Sequence, residues 1–170
     1  MDDIGFGAIP LISLDDEVFK LAGQDTGFAK EFNFRVMDMA RKKICYRAAP
    51  VVNNSADVKF SYDQHVFTDG SLVQDFVNKT NTDPRKVLEI REYLEIPVQV
   101  DDPTCALNGK LCILSLAPQS IGRFVVFMAA LGAAGVTKQT LGQVLIKASV
   151  GPKVTKAVQA FNPWEFTRVA

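Results

Sequence analysis

The side chains best suited to nucleophilic or metal chemistry are few: one histidine, His65, and three cysteines, Cys45, Cys105 and Cys112. A Ser–His–Asp relay would have to use His65, in Asp63-Gln64-His65-Val66-Phe67, and no nucleophile elbow accompanies it. A structural or solvated role is the expectation for this histidine. Cys105 and Cys112 flank Asn108-Gly109, a dipeptide that favours a two-residue type I′ hairpin turn. In that register they face each other, about 5.5 Å apart at Cα, as a hydrogen-bonded pair. Two buried thiols acting as small apolar groups are expected there. Zinc would need Cys45 and His65 to converge on this pair, without the usual two-to-four-residue ligand spacing. No phosphate-cradling glycine pattern occurs, and Gly132 to Gly135 sit at a helix exit. Asp15-Asp16 and Asp101-Asp102 read as caps and turns. The sequence therefore predicts no catalytic residue, no cofactor and no metal site.

What it offers instead is basic side chains interleaved with aromatic ones, the pattern that suits single-stranded nucleic acid: cations track phosphates and rings stack on bases. One group is Lys42, Lys43, Tyr46 and Arg47, with Arg35 before it and Lys59, Phe60 and Tyr62 after it. The other is Lys147, Lys153, Lys156, Trp164 and Arg168, with Phe166. The competing reading gives the rings to the core and the lysines to exposed strand edges.

Charge supports a polyanion-facing surface on the second group. The chain is neutral overall, yet residues 1–102 carry 18 acidic and 12 basic side chains, whereas residues 103–170 carry Glu165 alone against seven cations. Such segregation marks either a surface for a polyanion or two halves that attract each other. Composition is that of a globular chain, 48% hydrophobic and 22% charged, and the length suits a single domain over 1–170. Met1 to Gly5 lacks the basic flank and apolar run of a secretory signal. The longest apolar stretch, Phe124 to Val136, is shorter than the ~20 residues a membrane span needs. Three cysteines do not make a disulfide framework, so a reducing, cytoplasmic setting is expected.

The elements that would position these residues follow from periodicity. Residues 13–23 predict a short helix, with Ser13 as cap and Leu14, Val18 and Leu21 as its stripe. Phe32, Phe34 and Val36 alternate, and with Ile44, Tyr46 and Ala48 they predict a hairpin whose tip is Arg41-Lys42-Lys43. Residues 57–63 predict a strand after Asn53-Asn54-Ser55. The stretch 71–96 predicts two helical segments, the second opened by Asp83-Pro84, with Val87, Ile90 and Leu94 inward and Glu89, Arg91, Glu92 and Glu95 wet. Val98 and Val100, then Lys110 to Leu116, form the Asn-Gly hairpin. Ser120 caps a helix over about 120–132 that is apolar almost all round and so is expected to be buried. Val144 to Val150 is a strand, residues 154–161 return beside it after Gly151-Pro152, and Trp164 and Phe166 open a last one. The order is α+β with an antiparallel sheet.

Leu111 to Ser120, the run Ile121-Gly122-Arg123-Phe124 opening a glycine-ended helix, and strands closing on Phe161 to Phe166 resemble small bacteriophage proteins of the single-stranded-DNA-binding or recombination-accessory type, over residues 105–169. The resemblance implies an oligonucleotide-binding-like barrel, no catalysis, and nucleic acid or a replication protein as partner. No Cys-x-x-Cys pair occurs, so no zinc ribbon is expected. The leading expectation is a non-enzymatic phage or viral accessory protein that binds single-stranded DNA through its basic C-terminal half. The alternative is an assembly protein, a virion component or homo-oligomer without a small-molecule site.

Overall fold

The structure, a computed structural model, describes residues 9–52, 56–156 and 159–170, with Lys156 and Gln159 described by backbone alone. The Met1 to Gly5 start, the Asn53-Asn54-Ser55 boundary and the side chain of Lys156 lie outside the described residues. The chain is α+β. It forms two compact units, one holding the chain up to Ala40 together with Glu95–Ala170, the other holding Arg41–Leu94.

The larger unit contains strands β1 (Leu11–Asp15), β2 (Val18–Leu21) and β3 (Glu31–Val36) before the boundary. The smaller unit contains β4 (Arg41–Pro50), β5 (Asp57–Ser61) and helix α1 (Val73–Asn81). Strand β6 (Lys86–Val100) gives residues 86–94 to the smaller unit and 95–100 to the larger. The larger unit then adds β7 (Leu111–Leu116), α2 (Pro118–Ala133), a 3-10 turn at Leu141–Gln143, β8 (Ile146–Val150), β9 (Val154–Lys156), β10 (Gln159–Phe161) and β11 (Trp164–Arg168).

In the larger unit the sheet runs β11-β8-β3-β6-β7-β1-β2. It is mixed rather than antiparallel, because β1 lies parallel to β7, Leu11 beside Ile113 and Ile12 beside Leu114. Its outer strands β2 and β11 do not pair with each other, so the sheet is open and forms no barrel. One face buries an aromatic cluster: Phe32 lies edge-on to Phe19 at 5.1 Å, and Trp164 sits 4.5 Å from Phe19 and 5.9 Å from Phe166. Phe124 of α2 closes on Phe166 at 5.3 Å. Rings at these separations add about 0.5–1.5 kcal/mol per pair beyond the area they bury.

Several sequence expectations change here. Residues 13–23 are a hairpin, not a helix: Asp15 pairs with Val18 around a two-residue turn, with Asp16 at φ 56°. The acidic run that imitates a helix start is that turn, and Asp15 holds Lys20 of the facing strand at 2.7 Å. Strands β3 and β4 do not form a hairpin, since β3 pairs with β6 and β8. The helix expected after Asp83 is strand β6. Asp83 instead closes a turn, accepting from the Arg85 N–H at 3.0 Å through its side chain and from Lys86 N–H at 3.1 Å through its carbonyl. The charges that suggested a wet helical face reach across to β4, Glu89 to Arg47 at 3.4 Å and Glu92 to Lys42 at 3.0 Å. Accordingly Val87 and Ile90 are exposed and Glu95 is buried.

The Asn108-Gly109 turn is wider than two residues. Val100 donates to the Lys110 carbonyl at 3.0 Å and accepts from Gly109 N–H at 2.7 Å, leaving a loop between. Asp102 organises that loop, accepting from Thr104 Oγ1 at 2.6 Å, Thr104 N–H at 3.0 Å and Asn33 N–H at 3.1 Å. Cys105 and Cys112 therefore do not face each other across a ladder. Burial, with Cys105 nearby, still pushes the Cys112 thiol up to about 11. Strands β9 and β10 do not return beside β8; they pair with each other, and β11 takes the place beside β8.

Helix α2 begins at Pro118, not at a Ser120 cap. Ser120 is buried within it, and its Oγ accepts from the Trp164 N–H at 3.0 Å. The helix is not buried all round: Phe124 and Leu131 face inward, whereas Val125 and Val126 are exposed. Among the described residues no helix is long and apolar enough to cross a membrane.

Candidate nucleic-acid interface

The smaller unit is a sheet in which β4 pairs with both β5 and β6, with α1 covering one face. Helix α1 sets Val73, Phe76 and Val77 at helical spacing, and these close on Ile44, Tyr46, Phe67 and Leu88. The turn before it is held by Asp69, whose carboxylate accepts from Ser71 and pairs with Lys59 at 3.0 Å. Those partners, the Ser71 hydroxyl first, hold Asp69 down at about 2.

Side chains alternate along a strand, so the residues between Ile44, Tyr46 and Ala48 point to the opposite face. They are Arg41, Lys43, Cys45 and Arg47, and register sets Cys45 beside Phe60 and Arg47 beside Val58. Strand β6 adds Glu89, Arg91 and Tyr93, which line a shallow groove of about 400 Å³ with Cys45, Arg47 and Val58. Cys45 reports the electrostatics of this face. Burial raises its thiol pKa, while the charges of Arg91, Lys43 and Arg47 act to lower it. Two of the cations lie on rings: Arg41 is 4.0 Å from the Tyr62 centroid and Lys43 is 4.5 Å from that of Phe60. Glu89 joins the cluster through Arg47. The open face thus combines cations with aromatic rings along strands whose same-face residues recur about every 6.8 Å.

Of the residues singled out from sequence, Lys43 and Arg47 lie on this face, and Phe60 and Tyr62 join them. Tyr46 does not. It is 6% exposed and packs its ring against Phe67 at 5.5 Å, so it has no face to offer a base. Lys42 extends to Glu92, and Lys59 to Asp69 over the Phe67 ring. The described residues of the C-terminal group have other surroundings. Trp164 is 2% exposed, in the aromatic core of the larger unit. Lys147 lies near Asp102, whose pKa is lowered chiefly by the Thr104 hydroxyl and further by the Lys147 charge. Lys153 lines a groove with Asp15, Asp16 and Glu17. Arg123 pairs with Glu165 at 3.4 Å. Arg168 is exposed at the end of β11. Of the seven cations after Asp102, Arg123, Lys147 and Lys153 thus lie beside carboxylates.

Sequence reasoning missed Arg91, Tyr93 and Cys45. The signal was the alternation Glu89, Arg91, Tyr93, which a helical reading of 83–96 scattered around a cylinder. His65 is exposed in a turn built on Asp63, which accepts from the His65 N–H at 2.8 Å and the Val66 N–H at 2.9 Å. Among the described residues no cluster of three or more His, Cys, Asp or Glu could hold a metal ion. The chain matches no protein-family model, no curated protein and no solved structure.

Proposed function

We propose that the chain is a non-enzymatic accessory protein that binds single-stranded nucleic acid on the open sheet face of its smaller unit. The supporting observation is that Arg41, Lys43, Arg47 and Arg91 share one face with Phe60, Tyr62 and Tyr93, around Cys45. A flexible strand can lay phosphates along the cations while its bases find the rings, each stack contributing about 1–3 kcal/mol. Duplex is disfavoured because its bases are already stacked inside and cannot reach a flat sheet.

The test is binding of a fluorescent single-stranded oligonucleotide at rising salt, with Cys45 as an internal reporter. Bound strand should slow alkylation of Cys45, which is partly exposed at the centre of the face, and leave Cys105 alkylation unchanged. No binding at 50 mM salt, or binding that leaves Cys45 as reactive as before, sinks the proposal.

A further inference from the structure

The larger unit leaves an apolar helix face uncovered. Along α2, Val125 is 56% and Val126 70% exposed, and Gly122, Ala129, Ala130 and Ala133 are exposed with them. Arg123 is the only charge on this helix. Beside it runs an open edge: among the described residues β11 pairs with β8 alone. Helix and edge strand enclose a groove of about 510 Å³, with Val126, Phe127, Ala130 and Phe166 in its lining and Arg123 and Glu165 at its rim. A helix apolar all round belongs in an interior, and open apolar edges are ones that proteins ordinarily cover or charge. Here the helix face is bare among the described residues, and the edge strand carries Glu165 and Arg168.

We infer that this strip is the interface of a reversible two-fold homodimer. Charge complementarity selects a second copy as the occupant. The rim carries one cation and one anion side by side, both about two-fifths exposed. A two-fold axis sets like surface patches against each other with partners exchanged, so Arg123 of each copy can meet Glu165 of the other without an unmatched charge. The chain's zero net charge adds no long-range repulsion. Small residues at 122, 129, 130 and 133 let two helices approach closely.

The size of the strip sets the strength. Sixteen residues make α2 about 24 Å long and about 10 Å across, and the neighbouring strand adds about 5 Å of width. That is about 350 Å² a side in projection, in the range of the largest apolar patches on ordinary proteins. Two such strips stay below the roughly 1,200–2,000 Å² total of stable complexes. The dimer should therefore exchange with monomer and be seen only at high concentration.

Sedimentation equilibrium of the full chain without nucleic acid tests this. The mass should climb from 18.7 kDa toward twice that value as concentration rises from about 10 µM to about 1 mM. Val126→Glu, at an exposed site, should hold the protein as a monomer with its circular dichroism unchanged. Arg123→Glu and Glu165→Arg should each weaken dimerisation about tenfold. An equimolar mixture of those two variants should restore it, because every cross-copy pair is then opposite in sign. A mere loss of the internal Arg123–Glu165 pair cannot be repaired by mixing. A wild-type chain that stays monomeric to about 1 mM overturns the inference and leaves the strip to a different protein. So does dimerisation that survives Val126→Glu, or a mixture no better than its components.

Discussion

Removing Arg47 and Arg91 together should flatten the salt dependence of single-strand binding by a calculable amount. If Arg41, Lys43, Arg47 and Arg91 each displace a counterion from a single strand, the slope of log affinity against log salt is about −0.7 per cation, about −2.8 in all. Raising salt from 50 to 200 mM then costs the wild type about 50-fold in affinity. The double variant Arg47→Ala/Arg91→Ala retains two cations, a slope of about −1.4 and a loss of only about 7-fold. Both side chains lie on the exposed face, so stability should change by no more than about 0.5 kcal/mol each. Fluorescence anisotropy with a labelled oligonucleotide at five salt concentrations reads the slope directly. Lys153→Ala/Arg168→Ala is the matched control from the C-terminal half and should leave the slope at its wild-type value. An unchanged slope in the first double variant, or a flattened one in the second, refutes the placement of the site.

Three further outcomes follow from particular contacts. Glu89 holds Arg47 at 3.4 Å, so Glu89→Gln should release that cation and tighten binding by about 1.5- to 5-fold, the range an exposed ion pair allows; the same titration measures it. A methyl group at Gly27 would fall 2.1–2.9 Å from the Val18 side chain, so Gly27→Ala should cost about 1–3 kcal/mol in urea unfolding, and Val18→Ala in the same chain should recover much of it. Asp69 has its pKa lowered to about 2 from 3.8, so what it contributes is fully present above about pH 4 and lost as pH falls through 2. The stability difference between wild type and Asp69→Asn should shrink over that window; a difference constant from pH 6 to 1.5 would contradict the assignment.

What the sequence made legible was local and apolar. The strand alternation of Phe32, Phe34 and Val36, of Val58 and Phe60, and of the residues from Leu111 to Leu116 is present in the fold, because period 2 with bulky side chains has few other solutions. The failures share one cause, a charged segment whose helical and extended readings both satisfy local rules. Asp15-Asp16-Glu17 and Asp83-Pro84 imitate helix starts, yet both lie at turns, Asp15 paired with Lys20 and Asp83 accepting from the Arg85 N–H. Glu89, Arg91 and Glu92 imitate a wet helix surface, yet Arg47 and Lys42 lie across from them on a neighbouring strand, thirty residues or more away in sequence. Partners so distant are invisible to a local window. The site was half legible for the same reason. Arg47 and Phe60 come from segments read as strands, Lys43 was read as a hairpin tip and lies within β4, and Arg91 and Tyr93 were lost with β6. Trp164 was misjudged because a tryptophan among cations looks like a stacking platform until its core neighbours, here Phe19, Phe32 and Phe166, are known.

An open face that carries rings needs something to keep it wet, and the same groups explain how it could hold a strand. Without ligand, Arg41 over Tyr62 and Lys43 over Phe60 shield the rings, each contact contributing about 0.5–1 kcal/mol at an exposed site. A base arriving at the ring displaces the cation and gains about 1–3 kcal/mol of stacking. On the proposed reading the displaced cation would be taken up by the phosphate of that nucleotide, within a side chain's reach of the ring. Each ring and cation thus change partners together, and the balance favours binding only if both parts of the nucleotide arrive. A free phosphate gains a cation but leaves a ring bare, and a free base does the reverse. The face should therefore discriminate strands from their fragments more sharply than a purely cationic groove would. Comparing an oligonucleotide with an abasic strand of equal length measures that coupling: loss of the bases should weaken binding even though every phosphate remains, and equal affinity for the two would mean that the rings take no part.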